Sequence, residues 1–190
     1  RRRYTLYAWL TVGLMAVISA STGCAAPLTL SADGKTSYVI TVAADAIAPE
    51  KTAATELKTH LEAVTGATFA IRDEALVGEA DPQIVVGPGP RFKAAFPDVD
   101  LAALDRDGIV IKTSGNKLYL AGGRPRGTLY AVYSFLGEDL GCRWLTWYGD
   151  ESIPRRETLR IRPLDRRDAP VFAMRDMTCR TNTTAEPELL

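Results

Sequence analysis

The chain has 190 residues, 46% of them apolar and 24% charged, the composition of a soluble globular protein with a core of its own and not of a disordered chain. That length holds one domain with a tail and excludes a complete barrel enzyme carrying an added module. Lys+Arg and Asp+Glu both number 23, for a formal net charge of zero, so no overall field draws nucleic acid, and nucleic acid is not an expected partner.

Arg1, Arg2 and Arg3 precede a mostly apolar run from Leu6 to Ala20, and no acid occurs before Asp33. Residues 1–23 therefore read as a secretory signal peptide. The run is too short and too rich in Thr, Ser and Gly for a membrane span of about 20 apolar residues. The expected destination is export to the periplasm, the outer membrane or the cell surface. Ser21-Thr22-Gly23-Cys24 resembles the bacterial lipobox, with Ser21 where an aliphatic residue is usual. Two readings stand for Cys24: a lipid anchor, or a bystander near an ordinary cleavage site. Cys24, Cys142 and Cys179 are too few and too scattered for a disulfide scaffold or a clustered metal site, and no metal or cofactor is expected.

Residues 24–37 are small and polar, with Pro27, Asp33 and Gly34, and read as a linker. Tyr38–Val42 is β-branched and aromatic and predicts a strand. Pro49 suits a first helical turn, Glu50 favours the dipole there, Ala54, Leu57, Leu61 and Val64 form one apolar stripe, and Gly66 ends it. A short strand is expected at Thr68–Ile71, and an unbroken apolar run at Gln83–Gly87 predicts a strand covered on both faces, stopped by Gly87-Pro88-Gly89-Pro90. Gly108–Thr113 and Lys117–Ala121 flank Ser114-Gly115-Asn116, a hairpin signature. Pro125 sits near a second helix start, with Leu129, Val132, Tyr133, Leu136 and Leu140 on one face and Gly141 as cap; Leu159–Arg162 is the last expected strand. The order predicts an α/β fold of the α+β two-layer sandwich type: a mixed sheet of five or six short strands with two amphipathic helices on one face.

Chemistry is sparse. The lone His60 lies beside the first helix's stripe, where a triad or zinc site would need partners. The turns Gly87–Arg91 and Gly122–Gly127 follow strands and carry arginines, which suits an anion, although their prolines remove N–H groups. Glu138/Asp139 and Asp150/Glu151 are adjacent pairs that do not aim two carboxylates at one glycosidic bond from opposite sides. Arg143, Trp144, Trp147 and Tyr148 crowd one segment. Such rings either bury against a second domain or stack on sugars.

Lys117 through Leu136, with Gly127-Thr128-Leu129-Tyr130-Ala131 at its centre, and the following Gly141-Cys142-Arg143-Trp144 resemble the N-terminal α/β module of bacterial glycoside hydrolases. That group comprises family-67 α-glucuronidases, the second domain of family-20 β-hexosaminidases, and a set of secreted proteins with a related barrel, to which the likeness is strongest. Pro49–Leu57, Val64–Ala67 and Ile84–Gly87 carry the same resemblance. It implies a β-hexosaminidase-domain-2-like module over residues 38–165 and the start of a truncated catalytic barrel over 166–190, with Pro170–Asp176 similar to a first barrel strand. The catalytic residues would then lie outside this chain, in a barrel of the same polypeptide. By the same resemblance Arg175 matches an arginine that hydrogen-bonds sugar hydroxyls. The implied function is a non-catalytic accessory module of an exported glycoside hydrolase whose substrate is a glycan. The alternative is a surface-anchored glycan-binding or adhesion module.

Overall fold

The computed structural model describes residues 26–146 and 149–172. Its centre is a six-stranded mixed sheet. β2 (Val39–Val42), β3 (Ala70–Asp73), β4 (Gln83–Val86) and β6 (Lys117–Gly122) run parallel to one another. β5 (Ile109–Ser114) joins β6 as the antiparallel hairpin, and β10 (Asp165–Asp168) adds antiparallel to β5, giving the order β10-β5-β6-β4-β2-β3.

Two helices lie on one face. In α1 (Ala48–Thr65) a proline occupies the first turn and Gly66 closes the helix at φ 73°, a left-handed cap that costs glycine no Cβ clash. Ala53, Ala54, Leu57, Leu61 and Val64 are at most 1% exposed; this stripe and α3 (Gly127–Ser134) pack on Ile40, Ile84, Val86, Leu118 and Leu120. The second helix was expected to continue to Leu140, but after Ser134 it widens into one π turn, Phe135–Asp139, that still buries Phe135 and Leu136. The two-layer expectation holds for these helices. The opposite face is also covered, by α2 (Pro90–Ala95) and the 3-10 turn Ala102–Leu104, with Phe92 and Leu104 packed on Val85, Val110 and Tyr119. Pro90, read as a strand breaker, is the residue that opens α2.

Three segments depart from expectation. The linker assigned to 24–37 contains β1 (Leu28–Ser31), which pairs antiparallel with β9 (Leu159–Ile161) and sends Leu28 and Leu30 into the core. β9 therefore forms a separate ribbon and does not extend the main sheet. The strand expected at Thr68–Ile71 begins two residues later, because Phe69 is drawn into the core and its N–H donates to the Glu62 carboxylate at 2.9 Å. Finally, residues 166–168, assigned to the start of the barrel, belong to β10 at the edge of this sheet, where Lys112 pairs with Asp165 at 2.8 Å. A two-residue ribbon, β7 (Arg143–Trp144) with β8 (Glu151–Ser152), closes the inventory.

Candidate functional site

The carboxyl ends of β4 and β6 carry the two arginine-bearing turns, read as plain strand-to-helix turns with an anion site as the alternative, and the arginines in both are engaged by the protein. Arg91 donates to the Gln83 side chain and to the carbonyls of Glu74 and Val77. Arg124 donates through Nε and Nη2 to the two oxygens of Glu50, at 2.8 and 3.2 Å, and Arg126 forms the same fork with Asp107 at 2.9 and 2.9 Å. Both guanidinium groups are held more firmly protonated, first by these side-chain hydrogen bonds. The backbone N–H groups of Arg126 and Gly127 are spent on carbonyls of Arg106 and Gly123. The turn is thus knitted into the fold and its N–H groups do not wait for a phosphate.

Glu50 lies beneath this turn with a side chain only 2% exposed. Its Oε2 also accepts the N–H of Ile47 at 3.0 Å, so one carboxylate caps α1 and holds Arg124. The strand end beside it turns away at Gly87, whose φ of 98° favours glycine, and the Glu50 carboxyl group packs against this residue. Next to the pair is an open cleft of about 450 Å³ lined by Pro88, Lys93, Leu101, Ala102, Asp105, Arg106, Gly122 and Arg124.

The aromatic segment occupies the other end of the sheet. α1 starts at the carboxyl end of β2 and returns, so His60 and the end of α3 lie near the amino ends of the parallel strands. Trp144 packs edge-on against His60 and Tyr133, with centroids 5.3 and 5.0 Å away, and keeps 38% of its surface exposed. The Tyr133 hydroxyl donates to Glu56 at 3.1 Å, and burial, reinforced by Glu56, raises its pKa. His60 is buried; Nδ1 lies 2.8 Å from the Glu56 carbonyl, which assigns the donor role to Nδ1. Its Nε2 has no hydrogen-bond partner among the described residues and lies 3.7 Å from the Glu151 carboxylate. Arg143 is engaged too, donating to the carbonyls of Gly137 and Cys142. Cys142 is buried, which pushes its thiol pKa up and leaves little thiolate for chemistry. Trp147, Tyr148, Cys24 and Arg175 lie outside the described residues.

Of the adjacent acids Glu138 and Glu151 are exposed, whereas the Asp139 side chain is only 7% exposed and is not the solvated surface charge expected of it. Glu138 and Asp139 both pair with Arg166, at 2.8 and 2.9 Å, and Glu151 faces His60. Among the described residues no group of three or more His, Cys, Asp or Glu could hold a metal ion. The Glu50–Arg124 fork and the cleft escaped sequence reasoning. Glu50 was legible as a first-turn acid, but nothing in the sequence joins it to a residue 74 positions away.

The model for the glycosyl hydrolase family 67 N-terminus matches residues 28–135, more than half of the chain. This chain belongs to that family. As a family-67 N-terminal module it shares its fold with a solved family GH115 4-O-methyl-alpha-glucuronidase with specificity for decorated arabinogalactans. That likeness has a TM-score of 0.52 at 22% identity and covers 75% of this chain but 18% of that one. The solved structure of CpGH84D is similar over 57% of this chain and 18% of its own, with a TM-score of 0.42 at 15% identity. The module thus spans under a fifth of either neighbour's length. No curated protein matches it in sequence. The family match begins at Leu28, the first residue of β1, and so takes in the strand that had been read as linker.

Proposed function

We propose that this family-67 N-terminal module is the non-catalytic accessory part of an exported glycan-degrading hydrolase, α-glucuronidase- or hexosaminidase-like, whose catalytic carboxylates lie in a barrel beyond Leu190. The observation that carries the reading is the family match from β1 to the end of α3, which embraces most of the sheet and both long helices. The engagement of the acids supports it: Glu50, Asp107, Glu138 and Asp139 each hold an arginine. Acids spent on ion pairs in this way are not poised across a bond at the spacing glycoside hydrolysis requires. Export rests on the Arg1–Arg3 start and the apolar run behind it, membrane retention on lipidation of Cys24, and sugar contact in the parent on Arg175.

The path of the chain supports a following domain. β10 runs parallel to β6, and its end, Asp168, pairs with Ile109 beside Gly122, so the polypeptide leaves at the carboxyl end of the parallel strands. Val171 and Phe172 follow it there, 91% and 72% exposed, as apolar groups that a neighbouring domain would cover. Trp144 is at the opposite end, and its exposed ring is the observation that favours the adhesion reading. Aryl glucuronides and hexosaminides incubated with the purified module decide between a catalytic and an accessory role. No turnover is expected. Reproducible turnover that disappears when one acid is replaced would place catalysis in this chain.

A further inference from the structure

We propose that the cleft at the carboxyl ends of β4 and β6 binds an acidic saccharide residue, with its oxyanion held among Arg124, Arg106 and Lys93. The saccharide half rests on the reading of this chain as part of a glycan-degrading enzyme. The oxyanion half rests on the cleft alone.

Three cations line the cleft against a single acid, Asp105. Counting Glu50, which neutralises Arg124 from below, the site keeps one net positive charge. Arg124 is positioned for recognition: the buried Glu50 carboxylate takes Nε and Nη2, fixing the guanidinium plane and leaving Nη1 with no hydrogen bond among the described residues, on a side chain that is 43% exposed. An arginine orientated beforehand loses little freedom when it receives an oxyanion. Arg106 and Lys93 have exposed side chains with no ion pair or hydrogen bond to the described protein.

The walls are closely packed. The Asp105 carbonyl comes so close to Gly123 that a Cβ on that glycine would lie 1.5 Å from it, and Asp105 itself sits at φ 55°. The 102–107 loop is locked further by the Arg106 carbonyl, which accepts the N–H groups of Arg126 and Gly127. The same cleft is also lined by Pro88, Leu101 and Ala102, apolar surface suited to the C–H face of a pyranose ring. The volume, about 450 Å³, lies within the range of small-ligand pockets. Its place outside the carboxyl ends of parallel strands is where open α/β sheets hold ligands. The oxyanion is a carboxylate or a sulfate ester, since a guanidinium receives either.

Backbone-amide NMR of the chain titrated with glucuronate, glucose 6-sulfate and glucose tests this. Either anion should shift the amides of Lys93, Asp105, Arg106, Gly122 and Gly123 saturably, and the tighter of the two names the oxyanion. Glucose should not. The double variant Lys93→Gln/Arg106→Gln should weaken binding at least tenfold while its other amide signals stay in place. Equal binding of glucose, no saturable shift with either anion, or undiminished binding by the double variant overturns the proposal. Free acetate or sulfate ion binding as well as the sugars overturns the saccharide half. Hydrolysis by the parent protein is a separate measurement, so a failure there is distinguishable from a failure here.

Discussion

Glu50 and Arg124 form one ion pair, but the carboxylate is 2% exposed and the guanidinium 43%. Removing Arg124 leaves a buried charge without its partner, whereas removing Glu50 leaves a cation that water still reaches. Arg124→Ala should therefore cost about 3 kcal/mol in urea unfolding, and Glu50→Gln clearly less. The double variant should recover part of the Arg124→Ala loss; an equal cost for both single variants would contradict the asymmetry. Glu74 offers a pH test. Burial raises its carboxyl pKa, against the lowering by the Arg91 N–H and charge. A folded-state pKa above the unfolded one means that its stabilising contribution is full below the unfolded value, about 4.3, and is lost as pH rises through the folded value. Glu74→Gln should accordingly match the parent protein near pH 3.5 and exceed it in stability at pH 7. Lower stability of the variant at pH 7 would mean that the bond to Arg91 outweighs the cost of burial.

At the scale of elements, α1 and β3 should respond very differently to truncation. Leu57 is fully buried between α1 and the sheet, whereas Ile71 on the edge strand is 37% exposed. Leu57→Ala should cost about 3 kcal/mol and Ile71→Ala under about 1 kcal/mol, both read by chemical denaturation. α1 was legible because its signals are local: a proline at the start, a stripe at helical spacing and a glycine at the end. The β5–β6 hairpin was legible for the same reason. β1 was not, since Leu28-Thr29-Leu30-Ser31 is short and its partner strand lies more than 120 residues away. β10 reads Asp-Arg-Arg-Asp, with no apolar residue at all; as an edge strand it is held by backbone pairing and the Lys112–Asp165 ion pair, which no hydrophobic pattern announces. The aromatic cluster around Trp144 was visible as composition. The cleft was invisible, because Lys93 in α2 and Arg106 and Arg124 in two separate turns are brought together only by the sheet topology.

At the scale of the whole molecule the sheet has two working ends. One holds Trp144, His60 and Tyr133; the other holds the Glu50–Arg124 pair, the cationic cleft and the departing chain. In the proposed parent enzyme a barrel attached after Phe172 would meet the second end first and would border the cleft and the exposed Val171 and Phe172. In that arrangement the aromatic end would face solvent or glycan. The central claim, an accessory module of a glycan-degrading enzyme, is tested most directly by hydrolysis. The natural polypeptide, continued through everything encoded after Leu190, is assayed on a panel of aryl glucuronides, hexosaminides and natural acidic glycans beside the module alone. The account predicts turnover by the continued polypeptide and none by the module. A continued polypeptide that hydrolyses no glycoside, while the module binds glycan saturably through Trp144, would contradict it and establish an adhesion protein.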